Sequence, residues 1–441
     1  MNSRKYILLI LIFNYITISA ISSAENLVTK IEKYEIDFSK VAKEIIAPQG
    51  IGSSLAFKEQ KNNKLYFYAL TDRGPNFEGP DTLSGEETII FSSPEFKPYI
   101  GLIEVSSLNK TAEVVAATTL FDADNKEING IFKHRVKYGG DVFLPLNKNY
   151  EVIKQDKHGF DSEALGVEAD GSFWVGEEYS VSLSHFSKEG KLIKKYEAGK
   201  ELPAILNKYA TNRGIESLSI TKSGKVVFIM ESTLDLGQDR EHTNFVRVIS
   251  FNPKDETSKM YIYPFDKNFY KAKSFKIGDM DAIDEDRFVV IEQGKEKNGK
   301  MHNRLFIMDL KGASDITNID PEIADNLEFK THQQLHKIKA INKEFMLDLR
   351  EQGWDLEKAE GIAIIAPNKI AITNDNDFGI EAKLTSKDKG KIAFADCRLD
   401  LASKKIFYQN STKAEDVTLA VQNTAEKSHL WIIEFNKPLI Q

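Results

Sequence analysis

The chain has 441 residues, of which 41% are hydrophobic, and a formal net charge of −7 at pH 7. An acidic chain without a basic run interleaved with aromatic residues has no general attraction for phosphate backbones, which argues against nucleic acid as a partner. Its lone cysteine, Cys397, excludes an internal disulfide framework and a cysteine-based zinc or iron–sulfur site within one chain, and a buried, inert thiol is expected.

The N-terminus has the layout of an export signal. A basic pair at 4–5 precedes an apolar run from 6 to 18, and small residues follow before Glu25. The apolar run is too short and too interrupted by polar residues to cross a bilayer comfortably. We therefore predict a cleaved signal peptide over 1–24 and a single mature domain over 25–441, with an uncleaved signal anchor as the alternative. The mature protein is expected to be monomeric and free of the membrane.

Three segments of the chain repeat one order of residues. Each opens with an acid and an alternating run, makes a turn containing Gly or Asn, and closes a second β-rich run on another acid 15 residues after the first. Alternation around such a turn is typical of a β-hairpin. The pairs of first and second acids are Glu163 and Glu178, Glu216 and Glu231, and Glu360 and Asp375.

Two looser copies of the repeat are present. Residues 278–293 match with Asp281 at the first acidic position, and a shorter turn leaves Gln293 at the second. Residues 50–76 carry a serine at the first position and reach Asp72 at the second after a longer turn. These copies bring the number of units to five.

More β-like sequence follows most of the hairpins, so each unit predicts a four-stranded sheet. Four-stranded sheets that recur along a chain are the signature of a β-propeller. The predicted fold is therefore all-β, a propeller of five or six four-stranded blades, with short helices in connections near 201–210 and 321–336. The segments 122–158 and 380–423 fit no unit, and are either insertions or the remains of a sixth blade.

A strand-like run near the N-terminus offers a way to close the ring. Residues 27–38 alternate in β fashion and lie far in sequence from the run at 429–436. Pairing of the two would complete the last blade and remove a free sheet edge.

Equivalent positions of successive blades face one another across the channel of a propeller, so the repeated acids should converge at one end. Crowded carboxylates raise one another's pKa unless bound cations or basic side chains compensate them. Calcium suits such a site because it accepts six to eight oxygen ligands in loose geometry, whereas magnesium is stricter and softer metals would need His or Cys. The alternative is that the acids are simply solvated. The predicted metal ligands are Asp72, Glu163, Glu178, Glu216, Glu231, Asp281, Glu360 and Asp375.

Basic residues adjoin these acids in sequence, and we take Arg73, Arg213 and Lys358 as candidate catalytic residues. Beside a bound cation they would form a site for a small anionic or ester ligand, because guanidinium groups offer paired donors. Alternatively, they only neutralise the neighbouring acids. The sequence has no G-x-S-x-G, H-E-x-x-H or Walker motif, and 122–130 lacks the glycine of an EF-hand loop.

Six motifs together resemble a known family: "TDRGPN" (71–76), "GFDSEALGVEADGSFWVGEEY" (159–179), "NRGIESLSI" (212–220), "DMDAIDEDRFVVIEQG" (279–294), "NRLFIMDL" (303–310) and "AEGIAIIAPNKIAITNDNDFGI" (359–380). From about residue 45 onward the chain is similar to the phytase-like domain family, known as esterase-like activity of phytase. The resemblance implies an architecture like that of β-propeller phytases, export from a bacterium to the periplasm or the medium, and a calcium-dependent phosphoesterase or esterase.

The resemblance also carries site residues over to the matched motif positions. These are Asp72, Arg73, Glu163, Glu178, Arg213, Glu216, Glu360 and Asp375. The expected reaction is metal-assisted attack of water on an ester, with carboxylates holding the ions. Two alternatives stay open: a non-catalytic propeller stabilised by cations that binds a partner or small ligand, and a lactonase-type or sugar-binding propeller.

Overall fold

Strands and short 3-10 helices make up the regular structure of the computed structural model. It describes residues 27–41, 49–132, 143–266, 270–319, 327–330, 335, 337–386, 390–409 and 417–439. The predicted signal peptide, 1–24, lies outside the described residues. None of the described helices has the length and apolar character needed to span a bilayer.

The strands, in chain order, are β1 (Val28–Asp37), β2 (Ser54–Lys61), β3 (Lys64–Leu70), β4 (Asn76–Gly79), β5 (Asp81–Thr82), β6 (Thr88–Phe91), β7 (Tyr99–Ser106), β8 (Thr111–Thr119), β9 (Leu144–Asn147), β10 (Ser162–Val167), β11 (Phe173–Glu177), β12 (Ser182–Phe186), β13 (Leu192–Glu197), β14 (Ile215–Ile220), β15 (Val226–Met230), β16 (Phe245–Asn252), β17 (Thr257–Pro264), β18 (Lys276–Ala282), β19 (Arg287–Lys295), β20 (Met301–Asp309), β21 (Asn342–Asp348), β22 (Gly361–Ala366), β23 (Lys369–Thr373), β24 (Ile380–Ser386), β25 (Gly390–Ile392), β26 (Cys397–Asp400), β27 (Lys405–Tyr408), β28 (Val417–Asn423) and β29 (His429–Phe435). The 3-10 helices are Ala204–Lys208, Arg240–His242, Ala272–Ser274, Leu327–Phe329, Arg350–Gln352, Asp377–Gly379 and Phe394–Asp396.

Five four-stranded sheets form the blades of a propeller. Blade 1 is β2-β3-β7-β8, blade 2 is β10 to β13, blade 3 is β14 to β17, blade 4 is β18 to β21, and blade 5 is β22-β23-β29-β1. The innermost strands β2, β10, β14, β18 and β22 adjoin one another in that order, and β22 returns to β2. The predicted all-β propeller is confirmed, and the described residues form a ring of five blades.

The N-terminal strand closes this ring as the sequence predicts. β1 runs antiparallel to β29, with Tyr34 opposite Leu430, and its end pairs in parallel with β8 through Ile36 and Ala112. Blades 1 and 5 are thereby joined into one continuous sheet of eight strands.

Side-chain alternation explains how the blades pack on one another. The middle strand β15 is buried on both faces, with Phe228 and Met230 in the hydrophobic cluster shared with blade 2 and Val227 and Ile229 in the cluster shared with blade 4. Successive side chains of a strand point to opposite faces, so a fully apolar strand can serve two interfaces. Each of the other neighbouring pairs of blades also shares a cluster of buried apolar residues.

In the parts that the structure describes, the segments that fit no repeat are insertions and do not form a sixth blade. They contribute to three small sheets, β4-β6-β9, β5-β26-β27 and β25-β24-β28. Ile90, Leu146, Leu384 and Leu399 share a separate apolar cluster there. Cys397 is fully buried in the same cluster, as expected for an inert thiol.

The helices predicted in connections are partly confirmed. A 3-10 helix over Ala204–Lys208 lies within the predicted 201–210. Within 321–336, only Leu327–Phe329 is helical among the described residues, and most of that prediction falls outside them.

Candidate metal centre

Irregularities at the ends of inner strands set the positions of the acids. In β10 the ladder with β11 skips Glu163, and in β14 the ladder with β15 skips Glu216, so each is the extra residue of a β-bulge. A bulged residue leaves the regular pairing and its side chain is re-aimed. Glu178 and Glu231 directly follow β11 and β15, at the same end of these hairpins.

The first group of acids consists of Asp72, Asp161 and Glu163, and one ligand oxygen of each lies within 4.8 Å of the others. Asp161 is fully buried, and Arg73 donates to both of its oxygens, from the backbone N–H to Oδ1 and from the guanidinium to Oδ2. The guanidinium also donates to Asn212. Burial raises the pKa of Asp72 well above its usual value, and the nearby negative charges of the site raise it further. Through its hydrogen bonds to Asp161, Arg73 supplies the positive charge that lies closest to this group of acids.

The second group consists of Glu178, Glu216 and Glu231, whose ligand oxygens also lie within 4.8 Å of one another. Their exposed fractions are only 4%, 5% and 2%. Arg213 and Lys276 both contact Oε1 of Glu231, at 2.7 Å and 2.6 Å, whereas the buried Oε2 has no hydrogen-bond partner.

The three carboxylates of the second group differ in the direction of their pKa shifts. Burial raises the pKa of Glu178 and of Glu216 well above the usual value, and the charge of Glu231 adds to both shifts. Burial alone would also raise the pKa of Glu231, but Arg213 and Lys276 outweigh it and the pKa is lowered. Glu231 is the charged centre of the group, whereas nearby basic residues only partly offset the effect of burial on the pKa of the other two carboxylates.

The third group surrounds the ammonium of Lys358. Its Nζ lies 2.7 Å from Asp375, 2.9 Å from Asp377 and 3.6 Å from Glu360. Burial raises the pKa of Glu360 to about 7, although Lys358 acts in the opposite direction. The amide of Gln293, which occupies the second acidic position of blade 4, donates to Glu360 at 3.1 Å.

Charges from the three groups act on one another, so the groups belong to one site. Glu360 raises the pKa of Glu216, and Asp375 raises that of Asp72. Glu163 likewise feels the charges of its neighbours in blades 2 and 3. The structure thus brings seven of the eight predicted carboxylates to one end of the channel, together with all three predicted basic residues.

Asp281 does not occupy the first acidic position of blade 4, which the repeat pattern assigns to it. Gly278 directly follows the paired residue Ile277, as the first acids of blades 2 and 3 follow theirs, and a bulge lies between Ile277 and Met280. Asp281 is three residues further along β18, where it accepts hydrogen bonds from Ser219 Oγ and the N–H of Ile364. Its carboxylate therefore links inner strands, and we correct the prediction by removing it from the ligand set.

Asp279 performs a similar linking role, which sequence reasoning missed. It is 1% exposed, and its Oδ2 accepts hydrogen bonds from Ser54 Oγ at 3.0 Å, Leu55 N at 3.3 Å and Ile362 N at 3.0 Å. One carboxylate therefore joins blades 4, 5 and 1. Burial raises the pKa of Asp279 well above its usual value, and these hydrogen bonds partly offset the effect.

Sequence reasoning also missed Asp161, Lys276 and Asp377. Asp161, Lys276 and Lys358 occupy the same position of blades 2, 4 and 5, two residues before the first acidic position. That common offset was the available signal. In blade 4 the repeat pattern aligns Asp281 with the first acids, although the structure places Gly278 there, and this alignment leaves Lys276 out of register.

The donor set fits a hard, oxygen-seeking cation. Among the described residues, Glu231 Oε2 is a buried oxygen without a hydrogen-bond partner. Buried polar atoms are normally satisfied, so unmet acceptors of this kind indicate a missing positive ligand. The three groups contain only oxygen ligands, which calcium prefers.

Comparison with known proteins adds a family and distant relatives. A family model described as "Phytase-like: Esterase-like activity of phytase" matches residues 47–378. An "Uncharacterized secreted protein" of Arthroderma benhamiae is 22% identical over 258 residues, which covers 48% of this chain and 50% of that protein. The chain thus spans about half the length of this curated relative.

Two solved structures are similar at a lower level. A protein of unknown function from Dyadobacter fermentans has a TM-score of 0.37 and 9% identity, covering 93% of this chain and 100% of that one. An α-L-arabinofuranosidase from Podospora anserina has a TM-score of 0.35 and 8% identity, covering 93% of this chain and 99% of that one. Likeness at this level supports no functional conclusion.

Proposed function

The chain belongs to the phytase-like family described as esterase-like activity of phytase, and we propose that it is an exported, calcium-dependent hydrolase of phosphate or carboxylic esters. The observation that carries the proposal is the meeting of three carboxylate groups with Arg73, Arg213, Lys276 and Lys358 at one end of the channel. The relative from Arthroderma benhamiae is described as secreted, which supports export. Periplasmic location or release to the medium fits the signal-like N-terminus.

The carboxylates would hold calcium, and the basic residues would act on the ligand. When bound, calcium supplies Lewis acidity and lowers the pKa of coordinated water. The candidate ligands are Asp72, Glu163, Glu178, Glu216, Glu231, Glu360 and Asp375. Arg213 and Lys358 would stabilise negative charge that develops on the ester, and their ion pairs with Glu231 and Asp375 fix their direction. Arg73, held by Asp161, would orient an anionic group.

A specific observation also favours a second candidate, a non-catalytic propeller stabilised by cations. Each of the four basic side chains already contacts at least one carboxylate of the site. In this candidate, those contacts serve only to compensate the acids, and bound calcium completes the compensation. The protein would then bind a partner or small ligand without turnover.

Turnover before and after removal of calcium separates the two candidates. Purified protein treated with a chelator should lose activity on p-nitrophenyl phosphate, bis-p-nitrophenyl phosphate or p-nitrophenyl acetate, and added calcium should restore it. The His158→Ala variant, altered outside the three groups, serves as the control and should keep wild-type activity. Background turnover on every ester, together with a melting temperature raised by calcium, would reject the hydrolase and favour the second candidate.

A further inference from the structure

The three groups of acids differ in how the protein's own cations meet them. In the first group, Arg73 engages both oxygens of the fully buried Asp161. In the third group, the Nζ of Lys358 contacts Glu360, Asp375 and Asp377 within 3.6 Å. An ammonium has three donors, so Lys358 can serve three acceptors at the position where a cation would otherwise bind.

In the second group, the protein's own basic side chains contact only one carboxylate oxygen. Arg213 and Lys276 both contact Oε1 of Glu231, which leaves Oε2 buried and without a partner. Glu178 and Glu216 are more than nine-tenths buried and accept no hydrogen bond from the described part of the chain. Leaving a buried acceptor such as Glu231 Oε2 unmet is costly, so this group requires a further positive ligand.

We propose that the tight calcium position of the site is formed by Glu178, Glu216 and Glu231, and that Lys358 occupies the corresponding position of the third group. The inference rests on the proposed function in taking calcium as the ion. It goes beyond that function by assigning the ion to one group and by giving Lys358 the role of a built-in cation.

The assignment has a consequence for the blades. Glu178 belongs to blade 2 and follows β11, whereas Glu216 and Glu231 belong to blade 3. An ion bound to all three would tie these two blades together at the end of the channel. Within blade 5, the ammonium of Lys358 links Glu360 to Asp375 without a metal ion.

Calorimetric titration of the full chain with calcium chloride, after chelation, tests the assignment. Glu216→Gln and Glu178→Gln should each weaken calcium binding by about 10-fold or more, since each removes a direct ligand. The matched variants Asp72→Asn and Asp375→Asn remove acids of the other two groups and should keep the dissociation constant within about threefold. Circular dichroism and the melting temperature establish that each variant is folded.

Lys358→Met tests the inference through a gain of calcium binding instead of a loss. Removal of the ammonium leaves three acids without their cation, so the titration should show an additional calcium-binding event. His158→Ala controls for a separate group formed by Asp122, Asp124 and His158, and should leave the tight event unchanged.

Two results would overturn the assignment: tight binding that survives both Glu216→Gln and Glu178→Gln, or tight binding that is lost in Asp72→Asn or Asp375→Asn. An unchanged number of binding events in Lys358→Met would overturn the role of Lys358. Because titration measures binding without turnover, a protein that binds calcium in the expected pattern but hydrolyses nothing supports this inference and rejects the hydrolase.

Discussion

Lys276 and Glu231 form an ion pair between two blades, with 2.6 Å between Nζ and Oε1. Lys276 is the first residue of β18 in blade 4, and Glu231 follows β15 in blade 3. Glu231 is almost fully buried, whereas about a third of the lysine side chain is exposed. The pair therefore links blades 3 and 4, and it also neutralises part of the negative charge of the acidic site.

Lys276→Gln should destabilise the calcium-free protein. Loss of a partner of a buried charge costs several kcal/mol when both partners are buried, and the exposure of the lysine reduces this to about 1–2 kcal/mol in the free energy of unfolding. Urea denaturation in the presence of a chelator measures the change. Lys369→Gln, which breaks the exposed pair with Glu434, is the control and should cost about 0.5 kcal/mol or less. Equal costs for the two variants would contradict the prediction.

The stability of the calcium-free protein should depend on pH through Glu360. Its pKa is raised from 4.5 to about 7, chiefly by burial. A group whose pKa is higher in the folded state stabilises the fold fully below the unfolded pKa, and that contribution is lost as pH rises through the folded pKa. Lowering the pH from 8 to 5 should therefore raise the free energy of unfolding by roughly 2–3 kcal/mol from this group.

Denaturation curves of chelated protein across that pH range measure the effect, and Glu360→Gln is the matched comparison. The variant cannot titrate at this position, so its stability should change less between pH 5 and 8 than that of the wild type. Parallel pH profiles for the two proteins would show that Glu360 is not the source.

Part of this architecture follows from the sequence because the repeats of blades 2, 3 and 5 have turns of one length. Their first and second acids are 15 residues apart, so the hairpins and the convergence of the acids could be predicted without a structure. The closing strand β1 could be predicted as well, since an unpaired edge beside β29 would be unfavourable.

The rest depends on local geometry that the residue pattern does not reveal. In blade 4 the shorter turn and the bulge near Gly278 shift the register, so the residue pattern places Asp281 among the site acids and gives no sign that Lys276 belongs to the site. In the sequence, Asp161 is an acid just before a strand with no repeated partner. Only the fold places the guanidinium of Arg73 within hydrogen-bond distance of it. The insertions could be recognised because they match no repeat, but their packing on one another could not.

Asp279→Ala should be among the most destabilising changes in the channel. The substitution leaves Ser54 Oγ and the N–H groups of Leu55 and Ile362 without their common acceptor in a buried place. Each unmet donor costs about 1–3 kcal/mol, so a loss of at least about 3 kcal/mol is expected in urea denaturation. Asp279→Asn keeps an acceptor oxygen and should cost less. A loss as small as that of a surface variant such as Asp284→Ala would contradict this account.

Deletion of residues 25–37 should damage the protein more than loss of a flexible terminus would. Without β1, blade 5 loses its outer strand, β29 becomes an open edge and the link to β8 disappears. Exposed edges invite association with other chains. We expect a lower melting temperature and aggregates in size-exclusion chromatography, with Thr29→Ala, which removes only one side-chain hydrogen bond, as the control. A monomeric deletion variant with the wild-type melting temperature would exclude this role of β1.

Arg213→Gln addresses the proposed reaction itself. The guanidinium lies at the second group of acids, 2.7 Å from Glu231, and about a quarter of the side chain is exposed, so it can reach a ligand in the channel. If Arg213 stabilises charge that develops on the ester, its loss should lower kcat/KM by about 100-fold, while calcium still binds. Steady-state kinetics on the best ester, paired with calcium titration, separates the two effects. Arg287→Gln, which alters a surface pair with Asp284, should retain full activity. If Arg213→Gln keeps wild-type kinetics, the protein is a hydrolase in which the guanidinium only neutralises Glu231 and has no catalytic role.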